Sequence, residues 1–287
     1  MITRSQRLLL LDVDGTIVDH GGDLVPGCDR LVDWCVRSEV QVGLCSARPV
    51  GSLKALAGKL PGVKYIAALQ GAVALHDASA SGELPDWVTL REQTIQQSTV
   101  LELTARLSEY SVWWYTSDCW LIDSVSPEAK REASIVGSTW DGLISDRLDE
   151  PVAKILVLDT CTPSHLSGRI DSWKLPVSCS ESNPGYVEVV SSLVASDKGS
   201  LVLREAAERE SGCIGVRVIA VGDGINDLGL LRSAWMGFTF ADAPSDVRHA
   251  ANGVLSAERT TAMRELLDLV RDDSVNWSCC YSSTCQR

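Results

Sequence analysis

Two carboxylates at positions i and i+2, Asp12 and Asp14, end the apolar run that begins at Leu8, and Gly15 and Thr16 follow them. One such acid is free to attack phosphorus while its neighbour handles the proton of a leaving group, provided a cation suppresses their mutual repulsion. A hard Mg²⁺ ion suits that task, taking oxygen from Asp12, from a backbone carbonyl near Asp14 and from a further acid. Asp223, in a Gly-Asp-Gly turn with Asn226 and Asp227 close behind, offers that acid. The hydroxyl of Ser46 and the charge of Lys198 can hold phosphoryl oxygens where negative charge gathers in a transition state. Gly15 lets the backbone turn close to a phosphate. Taken singly, each group has a plainer use: loop capping for the aspartate pair, a helix N-cap for Ser46, a solvated helix start for Lys198, a turn for Asp223-Gly224. Taken together and in this order, they favour the chemistry.

The elements that must carry these groups follow from hydrophobic patterning. Arg7 to Val13 and Val40 to Cys45 read as fully buried parallel strands, with a helix over Cys28 to Ser38 between them. A further helix runs to Leu60 and a third strand spans Tyr65 to Leu69. Strand and helix in alternation predict an α/β fold with a doubly wound parallel sheet. The rhythm returns with a helix from Asp197, a strand over Val216 to Val221, a helix over Asn226 to Ala234, a strand over Trp235 to Phe240 and a helix over Glu258 to Val270. Asp12, Ser46 and Asp223 thus stand just beyond strands, where the ligand crevice of an open α/β sheet lies. Between the halves, the hairpin Ser111–Thr116 and Cys119–Ser124, helices and further strands predict an inserted α+β unit. The division expected is a core of residues 1–78 and 192–271, an insert of 79–191 and a polar tail of 272–287.

Composition bounds the function. The net charge of -12 and the absence of a Lys/Arg cluster exclude a basic face for nucleic acid. No stretch approaches the roughly 20 apolar residues of a membrane span, and the N-terminal apolar run is too short for a signal peptide, so a cytoplasmic protein without a membrane partner is expected. Of the ten cysteines, seven lie singly in predicted elements and read as reduced thiols. Cys279, Cys280 and Cys285 sit in the tail without a histidine, which speaks against zinc and for a floppy end. Oligomeric state is left open.

In these residues the chain resembles the haloacid dehalogenase superfamily, in its Cof-like phosphatase branch (type IIB, with a C2 cap). Asp12-Val13-Asp14-Gly15-Thr16 is similar to that family's DxDGT motif, Ser46 in CSARP to the Thr or Ser of its second motif, Lys198 in SDKGS to its third, and Gly222 to Asp227 to its GDGxND motif. The resemblance implies a Rossmann-like core with an inserted cap that selects substrate, and a Mg²⁺-dependent phosphatase. It further implies an aspartyl-phosphate on Asp12, acid and base roles for Asp14, and phosphate binding by Ser46 and Lys198. Metal ligation would fall to Asp12, Asp14 and Asp223, with Asp227 ligating or supporting. Arg48 and Asn226 are candidates for substrate or supporting contacts.

Two positions depart from the family. Gln70-Gly71 stands where Asn-Gly is usual, and Phe240-Ala241-Asp242-Ala243 where a Gly-Asn-Ala run is common. The expected substrate is a small phosphomonoester, a hexose or amino-sugar phosphate. Trp113, Trp114, Tyr115 and Trp120 are the aromatics that could stack on a sugar, though each reads more readily as core. Strand alternation would put Trp113 and Tyr115 on one face and Trp114 on the other. The alternatives are a phosphosugar mutase of the same superfamily and a binding protein that keeps the fold without catalysis.

Overall fold

A computed structural model describes residues 7–79, 83–159, 163–183 and 185–271; Cys161 and the cysteine-bearing tail lie outside the described residues. The first half of the larger sheet is β1 (Arg7–Leu11), α1 (Cys28–Arg37), β2 (Val40–Cys45), α2 (Val50–Lys59), β3 (Val63–Ala68), β4 (Val73–Asp77) and β5 (Trp87–Glu92). The insert follows as α3 (Gln97–Arg106), β6 (Ser111–Tyr115), β7 (Trp120–Ile122), α4 (Pro127–Val136), β8 (Gly142–Leu143), β9 (Lys154–Leu158), α5 (Pro163–Ser172), β10 (Val177–Asn183) and β11 (Tyr186–Ser191). The chain then returns through α6 (Ser200–Ser211), β12 (Arg217–Val221), α7 (Leu228–Ser233), β13 (Met236–Phe240), α8 (Ser245–Ala250), β14 (Gly253–Leu255) and α9 (Arg259–Arg271).

The larger sheet has the order β14-β13-β12-β1-β2-β3-β4-β5. It is parallel from β14 to β3, and β4 and β5 add antiparallel pairs at one side. The fold is therefore α/β with a parallel-sheet core. Because β1 lies inside the sheet with helices on both faces, all four of its leucines are buried. Leu9 and Leu11 pack with residues of α1, α2 and α9, while Leu8 and Leu10 pack with residues of α6, α7 and α8. Each fully buried leucine is worth roughly 1.5–3 kcal/mol, so the apolar run that read as a buried strand is also the sheet's anchor.

β4 and β5 are absent from the sequence reading, and β5 extends the larger sheet beyond residue 78, where that reading ended its first half. Trp87–Glu92 is an edge strand with no fully buried position, so it lacks the apolar run that betrays an interior strand. β10, α8 and β14 were likewise not read.

The smaller sheet has the order β10-β11-β9-β6-β7-β8 and is antiparallel apart from β7 with β8. Its two faces divide as alternation requires. Trp114, Ile155, Val157, Val187 and Val189 pack with Val100 and Leu103 of α3 and with Leu166 and Ile170 of α5. Trp113, Tyr115, Leu156 and Val190 turn to the opposite face. Trp113, Trp114 and Trp120 are core side chains, and the Trp114 indole N–H donates to Thr104 Oγ1 at 3.1 Å. Cys28, Cys35, Cys45, Cys119, Cys179 and Cys213 are free thiols. Among the described residues, no helix is long and apolar enough to cross a membrane.

Candidate active site

The chain order reverses at β1, whose neighbours are β2 on one side and β12 on the other. A crevice opens at such a switch point beyond the carboxyl ends of the strands, and the three candidate loops meet there. Asp12 follows β1, Ser46 follows β2, and Asp223 lies two residues past β12. Gly15 has φ 76°, and a Cβ built on it would stand 2.2 Å from Asp223 Oδ2. Only glycine allows the Asp12 loop to lie against the Asp223 loop this closely.

Lys198 reaches the same point by a left-handed turn. Asp197, two residues before the Gly199 N-cap of α6, accepts from the N–H groups of Gly199 at 3.0 Å and Leu201 at 2.9 Å and so holds the start of the helix. Lys198 at φ 51° and Gly199 at φ 82° swing the lysine back over the sheet edge. Gly71 is needed opposite this turn, since a Cβ there would meet the Gly199 nitrogen at 2.5 Å.

The outcome is a buried charge cluster. Lys198 Nζ donates to Asp12 Oδ1 at 2.8 Å and to Asp227 Oδ1 at 2.5 Å, and all three side chains are nearly inaccessible. Asp227 Oδ2 accepts the N–H groups of Asp223 at 3.1 Å and Gly224 at 2.9 Å, which shapes the acid-bearing loop. Burial raises the Asp12 pKa well above the usual carboxylate range, Asp227 raises it further, and Lys198 offsets part of this. Asp223 is pushed up to about 6, first by burial and then by Asp227. Burial alone would lower the pKa of Lys198, but Asp12 and Asp227 outweigh it and hold the ammonium charged.

Three carboxylates face one ammonium and the Arg259 guanidinium, which lies 4.0 Å from Asp223 and is shared with Asp242, so the cluster is short of positive charge. Ligand oxygens of Asp12, Asp223 and Asp227 lie within 4.8 Å of one another, and this all-oxygen donor set fits a hard divalent cation. Asp227 is already committed to Lys198 and two amides, so Asp12 and Asp223 have the oxygens best placed to hold such a cation, with Asp227 as their support. The Asp14 side chain falls outside this group. It is half-exposed and paired with Arg48, whose Nε lies 3.1 and 3.0 Å from its two oxygens and whose Nη2 lies 2.6 Å from Oδ1. Strand alternation would put residues 12 and 14 on one face, but β1 ends at Leu11 and the chain turns from Val13 onward, so the two side chains part. Ser46 is buried, and its Oγ accepts the Arg48 N–H at 3.1 Å; Pro49, not Ser46, is the N-cap of α2. Asp12, Asp14, Ser46, Arg48, Lys198, Asp223 and Asn226 all line one pocket.

The insert roofs this pocket with Tyr115, Glu132, Lys154, Leu156, Tyr186 and Glu188, and His20 joins from the core. Of the four aromatics singled out in the sequence, Tyr115 alone lines it. Burial raises the pKa of Glu132, and Tyr186 Oη donates to it at 3.2 Å. Apart from Tyr115, none of these roof groups was read from the sequence. A usable signal was the single charge inside the apolar strands KILVL and YVEVVS, where a charge needs a partner. Arg259 was also missed. Its Nε donates to the Gly15 carbonyl at 2.5 Å, its Nη1 pairs with Asp242 at 2.9 Å, and its guanidinium stacks 3.8 Å from the centre of the Phe240 ring. The departure at Phe240 to Ala243 is thus the seat of an arginine that braces the Asp12 loop.

Comparison with known proteins agrees with this architecture. The haloacid dehalogenase-like hydrolase family matches residues 9–264. No curated protein sequence matches the chain. Solved structures with a similar fold include BT1666 from Bacteroides thetaiotaomicron, a study of phosphatases in the haloalkanoate superfamily, at TM-score 0.74 and 17% identity over 94% of this chain and 97% of that one. The subclass IIB sugar phosphatase BT4131 aligns at TM-score 0.75 and 15% identity, over 92% and 99% of the two chains. A haloacid dehalogenase-like hydrolase from B. subtilis aligns at TM-score 0.76 and 16% identity, over 91% and 99%. These likenesses are of fold, including the inserted unit, whereas the family match runs through both halves of the core. The chain belongs to the haloacid dehalogenase-like hydrolases.

Proposed function

We propose that the chain is a phosphoric monoester hydrolase that uses Mg²⁺ and passes the phosphoryl group through Asp12. The observation that carries this reading is the buried Asp12 carboxylate, clamped by Lys198 at 2.8 Å and grouped with Asp223 and Asp227 on the floor of the pocket. An Asp12 oxygen attacks phosphorus, the bond from phosphorus to the leaving oxygen breaks, and Asp14 gives that oxygen a proton. Asp14 then takes a proton from water, the water oxygen attacks phosphorus, and the Asp12–phosphorus bond breaks to restore the carboxylate. Lys198 and Ser46 hold the phosphoryl oxygens throughout. Arg48 holds the Asp14 carboxyl group in place; in the first half-reaction the incoming phosphate draws the guanidinium to itself. Bound Mg²⁺ supplies the charge that lets Asp12 approach an anionic phosphate.

In this reading the larger sheet performs the transfer and the inserted unit selects the leaving group. The substrate class is a small soluble phosphomonoester, a hexose or amino-sugar phosphate, met in the cytoplasm and without a nucleic-acid or membrane partner. Two tyrosines beside the carboxylates of Glu132 and Glu188 form a roof suited to a hydroxyl-rich ring, and one protein of similar fold is a sugar phosphatase.

The test is phosphate release from p-nitrophenyl phosphate with and without Mg²⁺, followed by a panel of sugar phosphates and nucleotides. Release that needs Mg²⁺ and vanishes in Asp12→Asn is expected. Undiminished release by Asp12→Asn would overturn the mechanism, and a clear preference for nucleotides would overturn the substrate class.

A further inference from the structure

The roof contains a buried ion pair that phosphoryl transfer does not use. Lys154, at the start of β9, is 3% exposed, yet it borders the pocket. Its Nζ crosses from the insert to the core and donates to the Ala47 carbonyl at 2.7 Å. It also lies 3.3 Å from Glu188 Oε1 of β11 and 4.7 Å from the centre of the Tyr115 ring. The other Glu188 oxygen accepts from Gln70 Nε2 at 2.7 Å. Gln70 is buried and held at φ 60°, a conformation that L side chains rarely adopt and that Asn tolerates better than Gln. The longer glutamine arm spans from this strained turn to the roof.

The chain Ala47–Lys154–Glu188–Gln70 fixes the charge that the roof shows to a leaving group. Among the described residues, each lysine or arginine that lines the pocket is already engaged by a carboxylate: Arg48 by Asp14, Lys198 by Asp12 and Asp227, Lys154 by Glu188. Glu132 is the roof's surplus charge. An anionic group entering there would lose its hydration and gain no uncommitted cation, whereas a hydroxyl or ammonium would find carboxylate acceptors.

We infer that the Lys154–Glu188 pair, held by Gln70 and the Ala47 carbonyl, is a specificity determinant that withholds positive charge from the leaving group. The enzyme accordingly selects phosphomonoesters of polyols and amino sugars over those whose leaving group carries a second phosphate or a carboxylate. Part of this selectivity is a built-in rejection rather than an added contact. The inference rests on the phosphatase reading above.

The test compares kcat/KM for glucose 6-phosphate and fructose 1,6-bisphosphate on the full chain with Mg²⁺, using p-nitrophenyl phosphate as the control for wild-type activity. Glu188→Gln frees the Lys154 charge and should raise the ratio of bisphosphate to monophosphate by about tenfold; Lys154→Met leaves Glu188 uncompensated and should lower it by about as much. Gln70→Asn, which shortens the arm, should raise the ratio by a smaller factor. A purely structural role would weaken both substrates alike and leave the ratio unmoved. Should a single variant fail to fold, Lys154→Met combined with Glu188→Leu replaces the pair by apolar groups, a change buried pairs often tolerate. That double variant removes one charge of each sign and should return the ratio to the wild-type value. Movement of the ratio in the same direction by Glu188→Gln and Lys154→Met, no movement, a displaced ratio in the double variant, or a wild-type preference for the bisphosphate would each overturn the inference. Failure of the wild type on all three compounds would instead overturn the phosphatase reading on which it rests.

Discussion

In the larger sheet the candidate polar groups stand just past strand ends, at Asp12, Ser46 and Asp223, and loops aim them. In the smaller sheet the charges stand within strands, at Lys154 and Glu188, and the pleat aims them. The first device suits groups that must move with a reacting phosphate, because a loop can supply backbone N–H groups and turns beside each side chain. The second suits groups that must hold still, because a side chain on a strand is fixed by its ladder on both sides. In the reading proposed above, chemistry and selection are thus divided between two kinds of backbone that meet over one pocket.

That contrast breaks most directly at Asp14. Asp14→Asn removes the acid and base but keeps the loop, so kcat should fall by about 10²–10⁴, measured as steady-state phosphate release. Lys198→Met attacks the same cluster through stability. It leaves Asp12 and Asp227 buried without their cation and should cost about 3–5 kcal/mol in urea denaturation without added metal. If the cost were below about 1 kcal/mol, the cluster would be wetter than its burial indicates.

Asp223 sharpens the comparison through pH. Its folded pKa, raised from 3.8 to about 6, means the folded chain holds this proton more tightly than the unfolded chain. The associated stability is full below pH 3.8 and is lost as pH rises through about 6. A divalent cation offsets that loss because it binds the carboxylate form. The rise in Tm on adding Mg²⁺ should therefore be small at pH 5 and clearly larger at pH 7.5, by differential scanning fluorimetry. An equal rise at both would place Mg²⁺ away from Asp223. The smallest effect belongs to the insert: Ser126 accepts the Ala129 N–H at 3.0 Å as the N-cap of α4, which carries Glu132. Ser126→Ala should lower stability by about 1 kcal/mol.

The same contrast explains what was legible in the chain. Asp12 to Thr16 and Gly222 to Asp227 are compact because each loop carries its chemistry and its turn glycines together, and the buried strands before them announce the position. Lys198 was found, though the left-handed turn that aims it was not, because Asp197-Lys198-Gly199 reads equally well as a helix start. Lys154 and Glu188 were hidden, since alternation assigns them a face but does not say that this face meets the other sheet. Gln70 was noticed as a departure, yet its partner is 118 residues away, and no local pattern encodes such a distance. β5 escaped because an edge strand buries too little to show a period.

The central claim is that phosphate passes through Asp12. Borohydride reduction of the Asp14→Asn chain during turnover of p-nitrophenyl phosphate, followed by peptide mass spectrometry, tests it directly. The account predicts a reduced acyl-phosphate at Asp12 that needs both substrate and Mg²⁺. Steady phosphate release with Asp12 unmodified, or trapping on another side chain, would contradict it.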